Sequence, residues 1–343
     1  MSGSGEGTER CDFCRHGIPT DPVERSVDGR TYRFCSAACR DALSERQFVF
    51  SEYHGHRRMT TGVSGLDAKL PQGMPRNSFV LLSGMTGTRS GAIEDELVWR
   101  ALRRGEPALA VVYTEPPVSF VQGFLELDWN VLPYLEDGQL EIVDCFTDRV
   151  DDRELMEDRM NEWNRHLHRV ADDATVRVRD AGDLSEVHNK IDGCLERRDM
   201  SDRGVVVLDS LTELGSLVQP VQAYNFVKDV RAHVCKGRYV PLFAAATFQG
   251  DATVFPHDLD YMLDGIVQLE GNPELVRDTL IKRLRVQKMR DALSYSEWTA
   301  YECTSGLGMV TFDPREEMDG GEGGGGDGAS GGDEGPSGPV EPR

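Results

Sequence analysis

Four cysteines near the start of the chain have the types and the spacing of a metal site. Cys11 and Cys14 form a C-x2-C pair, and Cys35 and Cys39 form a C-x3-C pair after 20 intervening residues. Zinc takes four soft ligands in a tetrahedron, and two closely spaced cysteine pairs supply them with little backbone strain. Because all four positions are cysteine, no coordination position is left for a substrate, and we interpret the zinc as structural. A redox pair or a transient metal sensor is the alternative.

The residues around these pairs predict the elements that position the sulfur atoms. Val27–Arg30 followed by Thr31–Phe34 is typical of a hairpin, and a helix is expected over residues 36–46. The second pair then opens the helix, whose positive end favours thiolates. A unit of about fifty residues has little core of its own, so metal binding should supply much of its folding free energy.

The pattern of the cysteine-rich segment is similar to a known class of zinc finger. C-x2-C, a turn and then Tyr-x-Phe-Cys-Ser-x-x-Cys, over residues 11–46, resembles the treble-clef fingers of the TRASH and MYM type. The resemblance implies metal sensing or contact with another protein. DNA binding is the alternative, but acidic and basic residues balance over residues 1–60, so no basic excess is present to bind phosphates.

A glycine-rich turn further along the chain has the character of a phosphate-binding loop with altered chemistry. The apolar run Phe79–Leu82 leads into residues 83–91, SGMTGTRSG, and then into a helix. Backbone N–H groups of such a turn bind phosphate oxygens. The candidate phosphate-binding residues are Gly84, Gly87, Thr88, Arg89, Ser90 and Gly91.

This loop departs from the pattern G-x-x-x-x-G-K-[ST] at three positions. Arg89 stands at the second glycine, Ser90 at the lysine, and Gly91 at the hydroxyl residue that binds magnesium. The turn is kept, whereas the charge that neutralises the β- and γ-phosphates is lost. Arg89 or Ser90 would compensate only in part, after a shift of one residue.

The surroundings of the loop resemble the KaiC-like members of the RecA ATPase superfamily. Thr61–Asp67, followed by Leu70, Gly73 and Pro75, resembles the segment that precedes the loop strand in that family, and Val205–Ser210 resembles its Walker B strand. The resemblance covers about residues 60–313. It implies a RecA/KaiC-like P-loop NTPase core, which is an α/β fold with a largely parallel sheet, and ATP with Mg2+ as its ligand.

The same resemblance implies roles for four further residues. Asp209 would support magnesium through water, and Glu115 would activate the attacking water. Lys288 and Arg290 match a K-x-R element that, in ring assemblies, reaches the nucleotide of the neighbouring subunit. For Asp209 and Glu115 the alternative is an acid that is merely solvated or paired with an arginine. The loss of the loop lysine and hydroxyl should cost roughly a thousandfold or more in the rate of phosphoryl transfer.

Short apolar runs alternate with longer amphipathic stretches between these sites, which predicts a parallel sheet covered by helices on both faces. Strands are expected at 79–82, 108–113, 140–144, 205–209, 240–246, 266–269 and 309–312, and helices at 91–104, 151–170, 183–198 and 222–236. Residues 281–312 suggest an antiparallel extension.

The composition limits the classes of protein to which the chain belongs. In 343 residues, 59 are acidic and 38 are basic, and the formal net charge is −21. This acidic, lysine-poor composition resembles that of proteins from salt-loving archaea, where molar salt screens self-repulsion. A soluble acidic protein from a GC-rich genome is the alternative. Either way, the charge argues against nonspecific binding to nucleic acid or anionic lipid.

The chain carries neither a membrane span nor a signal-peptide pattern, so we expect a cytoplasmic protein. The remaining cysteines are then expected to be small buried apolar residues. They are Cys145, Cys194, Cys235 and Cys303.

The sequence therefore predicts a zinc finger over residues 1–50, a linker over 51–60, a KaiC-like domain over 61–315 and a disordered, glycine-rich acidic tail over 316–343. We interpret the protein as a regulatory or scaffold protein with a degenerate nucleotide site, a pseudo-ATPase that contacts a protein partner or further copies of itself. One alternative is a slow, ring-forming ATPase. A DNA-associated factor similar to recombinases is another, on fold-level analogy alone.

Overall fold

The computed structural model describes residues 9–18, 21–27, 29–45, 57–248, 255–276 and 279–314. The predicted tail lies outside these residues, and so does most of the predicted linker. Residues 58 and 59, at the end of that linker, form a short strand that pairs with residues 74 and 75. Met59 is buried in the main core, so the chain has entered the larger domain by this point.

The cysteine-rich segment is a hairpin followed by a helix, as predicted. Strand β1 (Val23–Val27) pairs antiparallel with β2 (Arg30–Phe34), and α1 (Ala37–Glu45) follows. Gly29 has φ +77° in the turn, a backbone conformation that glycine adopts without steric cost. Phe34 is fully buried in a small core that contains Cys11.

The larger domain begins with the two-stranded pair of β3 and β4 and continues with one ten-stranded sheet in the order β14-β13-β12-β11-β5-β10-β9-β6-β7-β8. The strands are β3 (Arg58–Met59), β4 (Met74–Pro75), β5 (Phe79–Gly84), β6 (Ala108–Val112), β7 (Leu140–Asp144), β8 (Thr175–Arg177), β9 (Val205–Asp209), β10 (Leu242–Thr247), β11 (Gly265–Val276), β12 (Thr279–Met289), β13 (Thr299–Thr304) and β14 (Gly308–Phe312).

Helices cover both faces of this sheet. One face packs against α2 (Ser64–Lys69), α3 (Ser90–Arg103), α4 (Pro117–Glu126), α5 (Leu132–Glu136) and α7 (Glu162–Asp172), while α6 (Arg153–Asp158) precedes α7. The other face packs against α8 (Leu184–Arg197), α9 (Leu211–Leu217), α10 (Pro220–Val230) and the π-helix Arg231–Gly237 that continues it. Short 3-10 turns lie at Thr147–Arg149 and His257–Leu259.

The strands from β11 to β8 in the sheet order are parallel, and β12, β13 and β14 extend the sheet antiparallel. The predicted α/β fold and its antiparallel extension are confirmed. The central strands are buried on both faces, because their apolar runs do not alternate with polar residues. The loop after β5 and the ends of β6, β9 and β10 therefore meet at the carboxyl edge of the sheet, where ligands bind in such folds.

Two helix predictions need correction. The helix expected over residues 151–170 is two helices, because the side chain of Asn161 accepts a hydrogen bond from the backbone N–H of Asn164 and caps a new helix there. The helix expected over residues 222–236 begins at Pro220 and ends as a π-helix. The four cysteines outside the finger are buried, as predicted.

Candidate functional site

The sulfur atoms of Cys11, Cys14, Cys35 and Cys39 all lie within 4.8 Å of one another. The Sγ atoms of Cys14 and Cys35 are 3.6 Å apart, as are those of Cys35 and Cys39. A zinc ion bound tetrahedrally with Zn–S bonds of about 2.3 Å requires sulfur atoms about 3.8 Å apart. The cluster therefore fits Zn2+, and all four predicted ligands come together.

The chain around the cluster is arranged for a thiolate at Cys11. Burial alone raises the pKa of this thiol, but the backbone N–H groups of Cys14, Cys35 and Phe13 outweigh it and lower the pKa to about 7. Thiolates are the form that binds zinc. The Ser36 hydroxyl accepts a hydrogen bond from the backbone N–H of Cys39, which fixes the start of α1 beside the cluster.

The phosphate-type loop connects β5 to α3 and is closed by its own hydrogen bonds. The Thr88 hydroxyl donates to the carbonyl of Met85 at 2.7 Å, and the backbone N–H of Thr88 bonds to the same carbonyl at 3.1 Å. Gly87 lies at the exposed tip of the loop and has φ +87°. The Tyr301 hydroxyl, on β13, donates to the Thr88 carbonyl at 2.5 Å and holds the loop against the antiparallel extension.

Arg89 occupies the glycine position of the loop and has the left-handed backbone that this position requires, with φ 58° and ψ 42°. Its guanidinium donates to the carbonyl of Cys303 at 2.9 Å and lies 3.8 Å from the Glu302 carboxylate. The side chain is thus bound to β13 and does not replace the missing lysine in this conformation. Next to it, Ser90 lies against Gly84, and the space beside Gly91 is open.

Asp209 and Glu115 are brought together at the carboxyl edge of the sheet. Asp209 ends β9 opposite Val112 of β6, and the hydroxyl of Thr114 donates to its carboxylate. Glu115 follows Thr114 in the chain and is half-buried. Burial, the Asp209 carboxylate and the Glu126 carboxylate raise the pKa of Glu115 to about 7. Burial also raises the pKa of Asp209, although the Thr114 hydroxyl opposes this.

Two further acids, which the sequence analysis missed, lie on α3 beside this edge of the sheet. Glu94 is 2% exposed, and one of its oxygens accepts a hydrogen bond from the backbone N–H of Ala245 at 3.1 Å. Asp95 follows it on α3. Burial raises the pKa of both carboxyls well above the ordinary range, and the Asp209 carboxylate raises them further. The available signal was a pair of acids one turn after the loop, where Glu94 falls on the face of α3 that packs on the sheet.

Lys288 and Arg290 lie far from this edge within one chain. Gly265 of β11 pairs with Met289 on one side and Val80 on the other, whereas Leu269 pairs with Gly84. Four residues of strand separate the two levels, about 13 Å. Lys288 donates to the carbonyl of Asp260, and Arg290 lies 3.5 Å from the buried carboxylate of Asp264. The structure therefore does not bring the K-x-R element to its own phosphate-type loop.

The Thr61–Asp67 segment has a structural role. The Asp67 carboxylate accepts hydrogen bonds from the backbone N–H groups of Thr61 at 2.7 Å and Gly62 at 2.9 Å, which closes the turn before α2.

Among the histidines, the ring nitrogens of His188 and His233 approach to 3.0 Å at the surface. Within the described part of the chain, no helix has the length and apolar character to cross a bilayer.

Two family models match the chain. Residues 59–316 match the model described as "ATPase: KaiC", and residues 7–42 match the "MYM-type Zinc finger with FCS sequence motif". The second match includes Phe34, Cys35 and Ser36, which are the F-C-S of that description. The cysteine-rich segment is thus a zinc finger of the MYM type, as its resemblance indicated.

Known relatives match the larger domain. A UPF0273 protein of Pyrococcus horikoshii is 27% identical over 232 residues, which are 67% of this chain and 85% of the relative. A UPF0273 protein of Thermotoga maritima is also 27% identical over 232 residues, with 67% and 87% covered. The crystal structure of a KaiC-like protein from Pyrococcus horikoshii superposes with a TM-score of 0.58 at 15% identity, covering 75% of this chain and 99% of the other. This likeness shows the same fold.

Proposed function

This chain belongs to the KaiC family of ATPase domains, and from that premise we propose that it is a regulatory or scaffold protein, a pseudo-ATPase that contacts other proteins. Its degenerate loop keeps the turn of a nucleotide site without the means to neutralise a triphosphate. The zinc finger supplies a second contact surface on the same chain.

One observation carries the proposal, namely that the loop has no lysine and that its arginine is bound elsewhere. The lysine position of the loop is Ser90, and the one arginine of the loop, Arg89, is bound to the Cys303 carbonyl. Glu94 of α3 is bound to the backbone N–H of Ala245, which lies level with Asp209 on the neighbouring strand. A triphosphate carries several negative charges, and this loop supplies no free cation to neutralise them, as phosphoryl transfer requires.

The test is nucleotide binding and turnover by the purified full chain with Mg2+ in concentrated potassium chloride. We expect no turnover above the level of an Asp209→Ala variant. Turnover by the wild-type chain that Asp209→Ala abolishes would overturn the pseudo-ATPase proposal and make Asp209 part of a working nucleotide site.

A pair of matched variants isolates the missing charge. Ser90→Lys restores the ammonium group, and Ser90→Met places a side chain of similar length there without charge. We expect Ser90→Lys to bind ATP at least about tenfold more tightly than Ser90→Met, since one charge-assisted contact contributes about 1.5–3 kcal/mol. Equal binding by the two variants would mean that charge at position 90 is not what limits affinity.

A slow, ring-forming ATPase is the second candidate, and the position of the K-x-R element favours it. Lys288 and Arg290 lie about 13 Å along the sheet from their own loop, so only a neighbouring subunit could present them to a nucleotide. Such a protein would form rings with nucleotide in high salt, and Arg290→Ala would abolish its turnover. A monomer under all those conditions would exclude this candidate.

The MYM-type finger most simply serves protein contact. Acidic and basic residues balance over residues 1–60, and the whole chain carries −21, so neither provides the basic surface that DNA binding requires. A DNA-associated role is therefore disfavoured. We therefore expect only weak binding to duplex DNA in 0.1 M salt. This binding should not depend on the zinc finger.

A further inference from the structure

We infer that His188 and His233 form a metal site distinct from the cysteine cluster, which binds a divalent transition ion, Ni2+ or Cu2+, through the two imidazole rings. The site lies at the surface where α8 and the π-helix pack on the same face of the sheet. It involves neither the phosphate-type loop nor Asp209. The inference therefore goes beyond the proposed function and does not depend on it.

The two ligand atoms converge. The Nδ1 atom of His233 lies 3.0 Å from the Nε2 atom of His188, although 45 positions separate the residues in sequence. With metal–nitrogen bonds of about 2.0–2.1 Å, two adjacent ligands of a square-planar or octahedral ion are about 2.9 Å apart, and two ligands of a tetrahedral ion about 3.3 Å. The observed separation is nearer to the first value, which favours Ni2+ or Cu2+ over Zn2+.

Packing fixes the backbone that carries both rings. Val187 and Val234, which adjoin the two histidines in sequence, are fully buried in the same core. The two ring planes meet at 53°. His233 is exposed and His188 is half-buried, so the pair is open to solvent on one side. A metal ion can enter there, beside the line that joins the nitrogens, after small rotations of the rings about χ2, a torsion with broad energy minima.

The π-helix holds His233 beside α8. Its i→i+5 hydrogen bonding places residues five apart on the same side, and Arg231 and Lys236 both bind the buried carboxylate of Asp264, at 2.7 Å and 3.1 Å. These ion pairs anchor the π-helix to the end of the sheet, while His233 contacts α8. Helical turns of this type are rare and occur frequently at functional sites. The backbone of this helix is thus a second observation that points to His233.

The donor set limits the kind of ion. Imidazole nitrogens suit Cu2+, Ni2+ and Zn2+, whereas Mg2+ and Ca2+ prefer oxygen. Within the part of the chain that the structure describes, no third His, Cys, Asp or Glu donor lies within 4.8 Å of both nitrogens. Asp192, one turn after His188, is bound to Arg238 at 3.2 Å. Water therefore fills the remaining coordination positions on the exposed side.

The experiment titrates Ni2+ into the zinc-loaded full chain, purified without a histidine tag, by isothermal titration calorimetry. Potassium chloride at 2 M screens nonspecific binding to the acidic surface. We expect one Ni2+ site, which His188→Ala and His233→Ala each weaken at least about tenfold, because either change leaves a single ring and removes the chelate. The matched control is His166→Ala on α7. His166 is also exposed, but its ring packs against Trp163, so Ni2+ binding should not change.

A second measurement tests the link between the two helices. Ni2+ held by both rings joins α8 to the π-helix, so hydrogen exchange of residues 231–237 should become slower when Ni2+ is added. Neither single variant should show this protection, because one imidazole cannot join two helices.

Three results would overturn the inference. One is the absence of Ni2+ binding at millimolar concentration, which would make the contact a hydrogen bond between two imidazoles. Another is binding that only one of the two variants weakens, which would place Ni2+ on a single histidine. The third is binding that neither variant weakens, which would place Ni2+ elsewhere on the chain. Thermal unfolding checks that each variant is folded. Nucleotide binding and turnover are measured separately, so failure of this site leaves the pseudo-ATPase proposal untouched.

Discussion

The carboxyl of Glu115 ties the chemistry of the site to the stability of the protein. Burial and the charges of Asp209 and Glu126 raise its pKa to about 7, whereas an unfolded chain has a glutamate pKa of about 4.3. Between these values the folded chain binds a proton that the unfolded chain has lost. The protonated Glu115 carboxyl therefore stabilises the folded protein, relative to the ionised form, at low pH. This stabilisation is lost as the pH rises from the unfolded pKa through the folded pKa of about 7.

We predict that Glu115→Gln makes the slope of the unfolding free energy between pH 5 and pH 7 less negative, by up to about 1.4 kcal/mol per pH unit. Urea unfolding measures the slope at several pH values, all of them above the pH at which acid releases the zinc. Glu136→Gln, at an exposed acid of α5, is the control and should leave the slope as it is. An identical slope in Glu115→Gln would mean that Glu115 is ionised in the folded protein throughout this range.

At the scale of the elements, β13 holds the phosphate-type loop. The Tyr301 hydroxyl donates to the Thr88 carbonyl in a buried setting, and Arg89 is bound to the neighbouring Cys303 carbonyl. We predict that Tyr301→Phe lowers the unfolding free energy by about 1–3 kcal/mol, because a buried carbonyl loses its partner. Hydrogen exchange of residues 85–90 should become faster. Tyr295→Phe, at a half-exposed tyrosine of the same region, should cost little; equal costs would show that the Thr88 contact contributes nothing.

The finger is the second element whose stability can be tested. Its core consists of few residues around Cys11 and Phe34, so the metal should supply much of its folding free energy. We predict that a chelator unfolds residues 9–45 and leaves the cooperative transition of the larger domain unchanged. Backbone NMR or hydrogen exchange of the two segments measures this, with excess Zn2+ as the control. A finger that keeps its protection after complete metal removal would contradict a structural zinc.

At the scale of the whole molecule, net charge should govern salt dependence. The chain carries −21 at neutral pH, and the Debye length falls from about 10 Å at 0.1 M salt to about 3 Å at 1 M. We predict that Tm rises between 0.1 M and 2 M potassium chloride at pH 7.5, because screening relieves self-repulsion. The same titration near pH 4.8, the isoelectric point, is the control and should show a much smaller rise. An equal rise in Tm at both pH values would mean that the salt stabilises the protein independently of its net charge.

The sequence by itself determined the fold class, the four-cysteine cluster and the family. Continuous apolar runs report burial on both faces of a strand, and short cysteine spacings allow few geometries, so both can be interpreted locally. The match over residues 59–316 and the sulfur cluster confirmed these predictions. The departure of the phosphate-type loop from the pattern G-x-x-x-x-G-K-[ST] was also evident from its sequence. The effect of this departure on ATP binding and hydrolysis stays a prediction.

Only the tertiary structure decided which charges meet. Glu94 and Asp209 are 115 residues apart in sequence, and they approach because α3 packs across β9 and β10. The same packing carries Arg89 to β13, whereas the register of β12 with β11 leaves Lys288 and Arg290 at the opposite edge of the sheet. Strand order and register fix these distances, and both arise from long-range pairing that the local sequence pattern does not specify.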